Sequence, residues 1–99
     1  METPVLELPD IFIEDDQEIK VDLPWNVILY NDDHHTFQSV VLQVQKATGL
    51  SLENAFEITM QVHTKGHAIC HTGAYTDCEK VAAILREIGL TVKIAQEKE

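Results

Sequence analysis

The residues of this chain whose types could do chemistry are five histidines, two cysteines and an acidic run beside two of those histidines. Asn31, Asp32, Asp33, His34 and His35 stand consecutively, while His63, His67 and His71 recur every fourth residue. The first group is rich in hydrogen-bond acceptors. An ammonium group has three donors and no acceptor, so a carboxylate, an amide oxygen and a neutral imidazole nitrogen together satisfy it. Asp33, Asn31 and His63 supply one of each. Hydrogen bonds to a charged group are worth about 1.5–3 kcal/mol each, enough to tell a free amine from a blocked one. The simpler reading of the same run is a turn followed by a helix start, because Asn and Asp side chains bond readily to nearby backbone.

Metal chemistry is the second reading, and the spacing argues against it. Gly66 interrupts the helical pattern between His63 and His67. On the strand that follows, His67 and His71 share a face with Ile69 between them, and no carboxylate is placed to complete a site, so neither a metal nor another cofactor is expected. Cys70 falls in mid-strand and Cys78 on the inner face of a helix. Each reads as a small, reduced core residue rather than a nucleophile. Nothing matches a phosphate loop or a Ser-His-Asp arrangement, so an enzyme is not expected.

To bring Asn31–Asp33 beside His63, the chain must fold back on itself. Trp25, Val27 and Leu29 alternate with Asn26, Ile28 and Tyr30, the period of a strand. Thr36 is placed to cap a helix whose inner face is Phe37, Val40, Val41, Val44 and Ala47, closed by Gly49. Ser51 caps a second, with Leu52, Ala55, Phe56, Thr59 and Val62 inward and Gly66 past its end. Ala68, Ile69 and Cys70 form a second strand. Thr76-Asp77-Cys78-Glu79 reads as a capping box opening a third helix, with Val81, Ala82, Leu85 and Ile88 inward and Gly89 at its end. Leu90, Val92 and Ile94 alternate as the last strand. The predicted fold is an α+β, β-α-α-β-α-β sandwich: a three-stranded antiparallel sheet of order 2-1-3 with three helices on one face. In that arrangement the end of strand one meets the residues where the second helix delivers His63. Phe37, Val40, Val41, Thr59 and Val62 then stand near the acceptors as walls of a pocket, or as ordinary core.

The 99 residues suit one domain with a modest core. The net charge of −10 disfavours nucleic acid or an anionic membrane as partner, since both are negative. Residues 1–22 hold eight acids against Lys20 alone, and Pro4 and Pro9 break any period, so residues 1–23 are expected to form an acidic flexible extension and residues 24–99 the folded core. No apolar run reaches the roughly 18 residues of a membrane span, and the chain does not open on a secretion-signal pattern. A monomer in the cytoplasm is expected.

Val27-Ile28-Leu29-Tyr30-Asn31-Asp32-Asp33 and Val62-His63-x-x-Gly66-x-Ala68-Ile69-Cys70, with Glu79-Lys80-Val81-Ala82 further on, together resemble the ClpS family. The resemblance runs from Trp25 to about Ile94. The ribosomal stalk protein has a C-terminal domain of the same fold class, but it lacks the Asn-Asp-Asp and Val-His pair. The ClpS resemblance implies an adaptor that binds N-degron substrates, proteins with a free N-terminal amine on a large hydrophobic first residue (Leu, Phe, Tyr or Trp), and delivers them to a Clp AAA+ chaperone and protease. It implies that Asn31, Asp33 and His63 hold the α-amine, that Asp32 supports the loop, and that Phe37, Val40, Thr59 and Val62 line the pocket. Docking on the chaperone's N-terminal domain would use Lys80, which matches a family lysine, with Glu79 beside it. The family's docking glutamate falls where this chain is one residue shorter, between Cys70 and Thr76.

Where the family usually has Thr-Pro-Met after the Asp pair, this chain has His35-Thr36-Phe37. Phe37 takes the place of a gatekeeper methionine, and Thr59 that of another. An altered side-chain preference with the amine site intact is therefore expected, and binding should weaken as pH falls through the ordinary histidine range, about 6.5. The alternative is a ClpS-like modulator that docks on the chaperone and alters its substrate choice without binding N-degrons.

Overall fold

The computed structural model describes residues 23–96, so the expected acidic extension lies outside the described residues except for Leu23. Six elements follow one another: β1 (Trp25–Tyr30), α1 (Phe37–Thr48), α2 (Leu52–Lys65), β2 (His67–Gly73), α3 (Tyr75–Arg86) and β3 (Val92–Gln96). Both sheet pairings are antiparallel and the strand order is β2-β1-β3. This is the predicted order and topology. Alternation sorts the central strand: Trp25, Val27 and Leu29 are buried, joined by Ala68 and Cys70 of β2 and Val92 and Ile94 of β3. The helices meet that face with Val41, Val44, Ala55, Val62, Cys78, Val81, Ala82 and Leu85. Removing each large apolar side chain from water contributes roughly 1.5–3 kcal/mol, which holds the helices on that side. The opposite face carries Ile69 and Lys93, both exposed.

Local chemistry fixes the helix ends. Thr36 is extended (φ −76°, ψ 155°), and its hydroxyl accepts the Ser39 N–H at 3.1 Å; Ser51 does the same for Asn54 at 3.1 Å. Each satisfies one of the four N–H groups a helix start leaves unpaired. Gly66 closes α2 at φ 94°, a left-handed conformation that glycine adopts without a Cβ penalty.

Four local expectations need correction. The third helix begins at Tyr75, two residues before the capping box, with Ala74 as N-cap and no side-chain cap. Its first turn is anchored by tertiary packing instead, the Tyr75 ring standing edge-on to Trp25 with centroids 4.8 Å apart. The same helix stops at Arg86 and tightens through Glu87 N–H to Ile84 O (3.1 Å) and Gly89 N–H to Arg86 O (2.9 Å), which puts Ile88 in an exposed turn rather than on an inner face. On α2, Leu52 and Phe56 are exposed, because the inner stripe is narrower and consists of Ala55, Thr59 and Val62.

The fourth concerns the histidines of β2. Val27 faces His71 across the ladder but Ile28 faces Ile69, so Cys70 is an extra residue and the strand bulges. His71 therefore moves to the buried side, opposite Val27, while His67 stays opposite Tyr30 and stacks on its ring at 5.9 Å. The two do not share a face.

Candidate functional site

Two backbone hydrogen bonds build the site before any side chain is considered. Tyr30 N–H donates to Thr91 O at 3.0 Å, and Asn31 N–H donates to Gly66 O at 2.9 Å. The end of β1 is thereby tied on one side to the entry of β3 and on the other to the cap of α2. Gly66 is left-handed, which turns its carbonyl towards Asn31 and holds the last turn of α2, with His63, over the Asn31–Asp33 loop.

Around this junction lies a cavity of about 270 Å³, lined by Tyr30, Asn31, Asp32, Asp33, His35, Phe37, Val40, Thr59, Val62, His63 and Leu90. Its lining combines acceptor-rich polar residues with apolar ones. Asn31, Asp32, Asp33 and His63, far apart in sequence, come together on it with Phe37, Val40, Thr59 and Val62. Val41 does not: it turns into the core between α1 and the sheet and is 5% exposed. Thr59 is buried, and its hydroxyl donates to Ala55 O at 2.8 Å within its own helix, so the wall it offers is apolar. Phe37 spans the two characters, with its ring edge-on to both Phe56 (5.1 Å) and His63 (6.2 Å).

Asp32 closes the loop on itself. Its Oδ1 accepts the backbone N–H of His34 (2.9 Å) and of His35 (3.2 Å), and its carboxylate also meets Nδ1 of His35 at 2.9 Å. The other ring nitrogen of His35, Nε2, reaches the carbonyl of Ile88 in the turn between α3 and β3. Partial burial works against ionising Asp32, yet its bonds from the His35 ring and the His34 and His35 backbone, and the nearby imidazole charge, hold its carboxyl below the ordinary value of 3.8. His35 moves the opposite way: the Ile88 carbonyl first, then the Asp32 carboxylate, raise it above 6.5 in spite of desolvation.

His35, one of the acceptor group singled out in the sequence, lines the cavity although no role was given to it, whereas Tyr30 and Leu90 are cavity residues that sequence reasoning missed. Tyr30 was read only as strand, and Leu90 as the start of β3, whereas it forms part of the wall just after Gly89. For His35 a signal existed in the Asp32-x-x-His35 spacing, which suits an aspartate accepting from residues two and three positions on. Glu79 and Lys80 are exposed on α3, away from the cavity lining. Cys70 and Cys78 are buried free thiols; burial pushes Cys70 up to about 12 and raises Cys78 as well. Among the described residues, no three His, Cys, Asp or Glu side chains are grouped to hold a metal ion. No described helix is long and apolar enough to cross a membrane.

The cavity thus lies at the end of the central strand of an α+β sandwich and is lined by both polar and apolar residues. The family model for the ATP-dependent Clp protease adaptor protein ClpS matches residues 20–93. The chain is 36% identical over 81 residues to the ATP-dependent Clp protease adapter protein ClpS of Desulforapulum autotrophicum, covering 76% of each. It is 30% identical over 91 residues to that of Corynebacterium glutamicum strain R, covering 92% of this chain and 91% of the relative. Among solved structures, Agrobacterium tumefaciens ClpS2 bound to L-phenylalaninamide has a similar fold, with a TM-score of 0.71 at 20% identity over 76% of this chain and 98% of that one. This chain belongs to the ClpS family of Clp protease adaptors.

Proposed function

We propose that the cavity captures the free N-terminus of N-degron substrates, which the protein then delivers to a Clp AAA+ chaperone. The α-ammonium sits among Asn31, Asp33 and His63, and the first side chain enters between Phe37, Val40, Thr59, Val62 and Leu90. The observation that carries this reading is the meeting of an acceptor-rich rim and an apolar wall on one small cavity. At about 270 Å³ it falls just below the roughly 300–1,000 Å³ usual for drug-sized ligands, which suits one amino-acid residue rather than a larger molecule. L-Phenylalaninamide, the ligand of the Agrobacterium relative, offers a free α-amine and one large apolar side chain, the same pair of features. Docking on the chaperone's N-terminal domain is assigned to the exposed Glu79 and Lys80 of α3, on a surface separate from the capture site, so one protein can hold substrate and chaperone together.

The test is fluorescence polarisation with peptides identical except for the first residue (Leu, Phe, Trp, Ile, Met, Ala), each with a free and an acetylated N-terminus. Low-micromolar or tighter binding, about 8 kcal/mol or more, is expected only for free amines on large residues. No binding to any free N-terminus would sink this reading in favour of a modulator that docks on the chaperone without capturing N-degrons.

A further inference from the structure

We propose that His35, as an imidazolium, is a positioning residue for N-terminus capture: it clamps the Asn31–Asp33 loop to the α3–β3 turn and so sets the polar rim and the Leu90 wall of the cavity together. The inference rests on the N-terminus-binding reading above.

The geometry requires two donors. Nδ1 faces the Asp32 carboxylate at 2.9 Å and Nε2 faces the Ile88 carbonyl, and both partners only accept. A neutral imidazole has one N–H, so it would leave one of these contacts unmade; the cation makes both. Ile88 lies two residues before Leu90 and next to Gly89, whose Cα hydrogen side faces the His35 ring: a Cβ added there would stand 4.0 Å from Cε1 and Nε2. One side chain thus joins segments 53 residues apart in sequence.

The surroundings favour the charge. On its own loop His35 faces Asp32, and Asp33 lines the same cavity, as do Tyr30 of β1 and His63 of α2. In the α3–β3 segment the charged neighbours are engaged elsewhere. Arg86 donates to Val92 O at 2.7 Å, and Glu87 pairs with Lys46 of α1 at 3.1 Å and accepts from Gln43. No described cation other than His35 is paired with Asp32. The raised titration of His35 follows from these contacts. Because the Asp32 and His35 charges largely offset each other, Asp33 is left as the carboxylate available to a ligand ammonium. Capture then needs two histidines in opposite states, His35 charged to hold the rim and His63 neutral to accept from the amine.

The clamp is present when His35 is protonated and Asp32 ionised. Its contribution is full below the ordinary histidine value of 6.5 and fades as pH rises through the raised value of His35. At the acid end it fades only as pH falls through the lowered value of Asp32.

Two measurements on the full chain test this. Imidazole ¹⁵N shifts of histidine-labelled protein should show His35 protonated on both nitrogens to a pH above 6.5, and Asp32→Asn should lower that titration. Polarisation binding of a Phe-first free-amine peptide should be weakened about ten-fold or more by His35→Gln at about pH 6.5, and the wild-type-to-variant ratio should shrink as pH rises through the raised value of His35, where the wild type loses its clamp too; titration of the peptide's own amine is common to both proteins and leaves the ratio unchanged. A merely structural role would weaken binding by the same factor at every pH. An equal ratio, or a His35 that titrates at or below 6.5, would overturn the proposal while leaving capture itself in place. A wild type that binds no free N-terminus at any pH would overturn the capture reading, and this role with it.

Discussion

The ring of Phe37 stands edge-on to that of His63, planes 86° apart and centroids 6.2 Å apart, so a residue of the apolar wall is in contact with one on the polar rim. Phe37 also meets Phe56 at 5.1 Å, and the pair forms an aromatic edge to the cavity whose outer member is 47% exposed. In the proposed capture, bulk at position 37 would limit what enters beside Asn31, Asp33 and His63.

Phe37→Met should reorder the preferred first residues without abolishing binding. A flexible thioether in place of a flat ring changes the pocket by about a methylene or two, worth roughly 1–3 kcal/mol each, and so shifts the ratio between ligands by about ten-fold or more. Thr59→Met fills the cavity from the opposite wall and should disfavour Trp most. Polarisation binding of the six-peptide set reads both effects; an unchanged ranking in Phe37→Met would remove Phe37 from specificity.

Capture should also depend on His63 being neutral. An imidazolium there sets a cation against the ligand ammonium, whereas glutamine keeps an acceptor oxygen at every pH. His63→Ala, which removes the acceptor, should weaken binding of a Phe-first free-amine peptide about ten-fold or more, and His63→Gln should recover part of that loss. Wild-type affinity in His63→Ala would exclude His63 from the amine site.

Most of this architecture was legible because local signals agreed with the global fold. Alternation in Trp25–Tyr30, the Thr36 and Ser51 caps and the Gly49 and Gly66 stops each point to one structure, and strand order follows from short connections. The convergence of Asn31–Asp33 with His63 follows from that order. What was not legible depends on contacts between distant residues. The early start of α3 rests on Tyr75 meeting Trp25, the reversal of His71 on a one-residue bulge, and the His35 clamp on the carbonyl of Ile88. A backbone carbonyl has no signature in sequence. Val41 was misplaced for a simpler reason: it follows Val40 by one position, about 100° around the helix, which separates the cavity side from the core side.

The two threonines that resemble caps should behave differently. Thr36 accepts from Ser39 N–H at the start of α1, so Thr36→Ala should cost about 1 kcal/mol. Thr76 is the second residue of α3 and supplies no cap, so Thr76→Ala should change stability by less than about 0.5 kcal/mol. Urea unfolding of the two variants checks this. Equal losses would mean that the third helix starts at the capping box after all.

The cysteines should be silent in the native state. Cys78 is fully buried, its thiol directed to the carbonyls of Trp25 (3.4 Å) and Gly73 (3.8 Å), and Cys70 is 5% exposed in the bulge of β2. Only the thiolate reacts with an alkylating reagent, and burial opposes its formation, pushing Cys70 up to about 12. At about pH 8.5 an ordinary thiol would be half ionised, so an exposed cysteine would label quickly, while these two should wait for the chain to open. The labelling rate should therefore rise with urea in step with the unfolded fraction, ending at two labels per chain. Destabilising the core tests the link independently. Leu85 is fully buried, and Leu85→Ala should remove about 2–5 kcal/mol of stability and accelerate labelling of both thiols by the same factor. Labelling at the free-thiol rate without urea, or a rate that ignores Leu85→Ala, would show that one of the thiols reaches solvent by local motion rather than by unfolding.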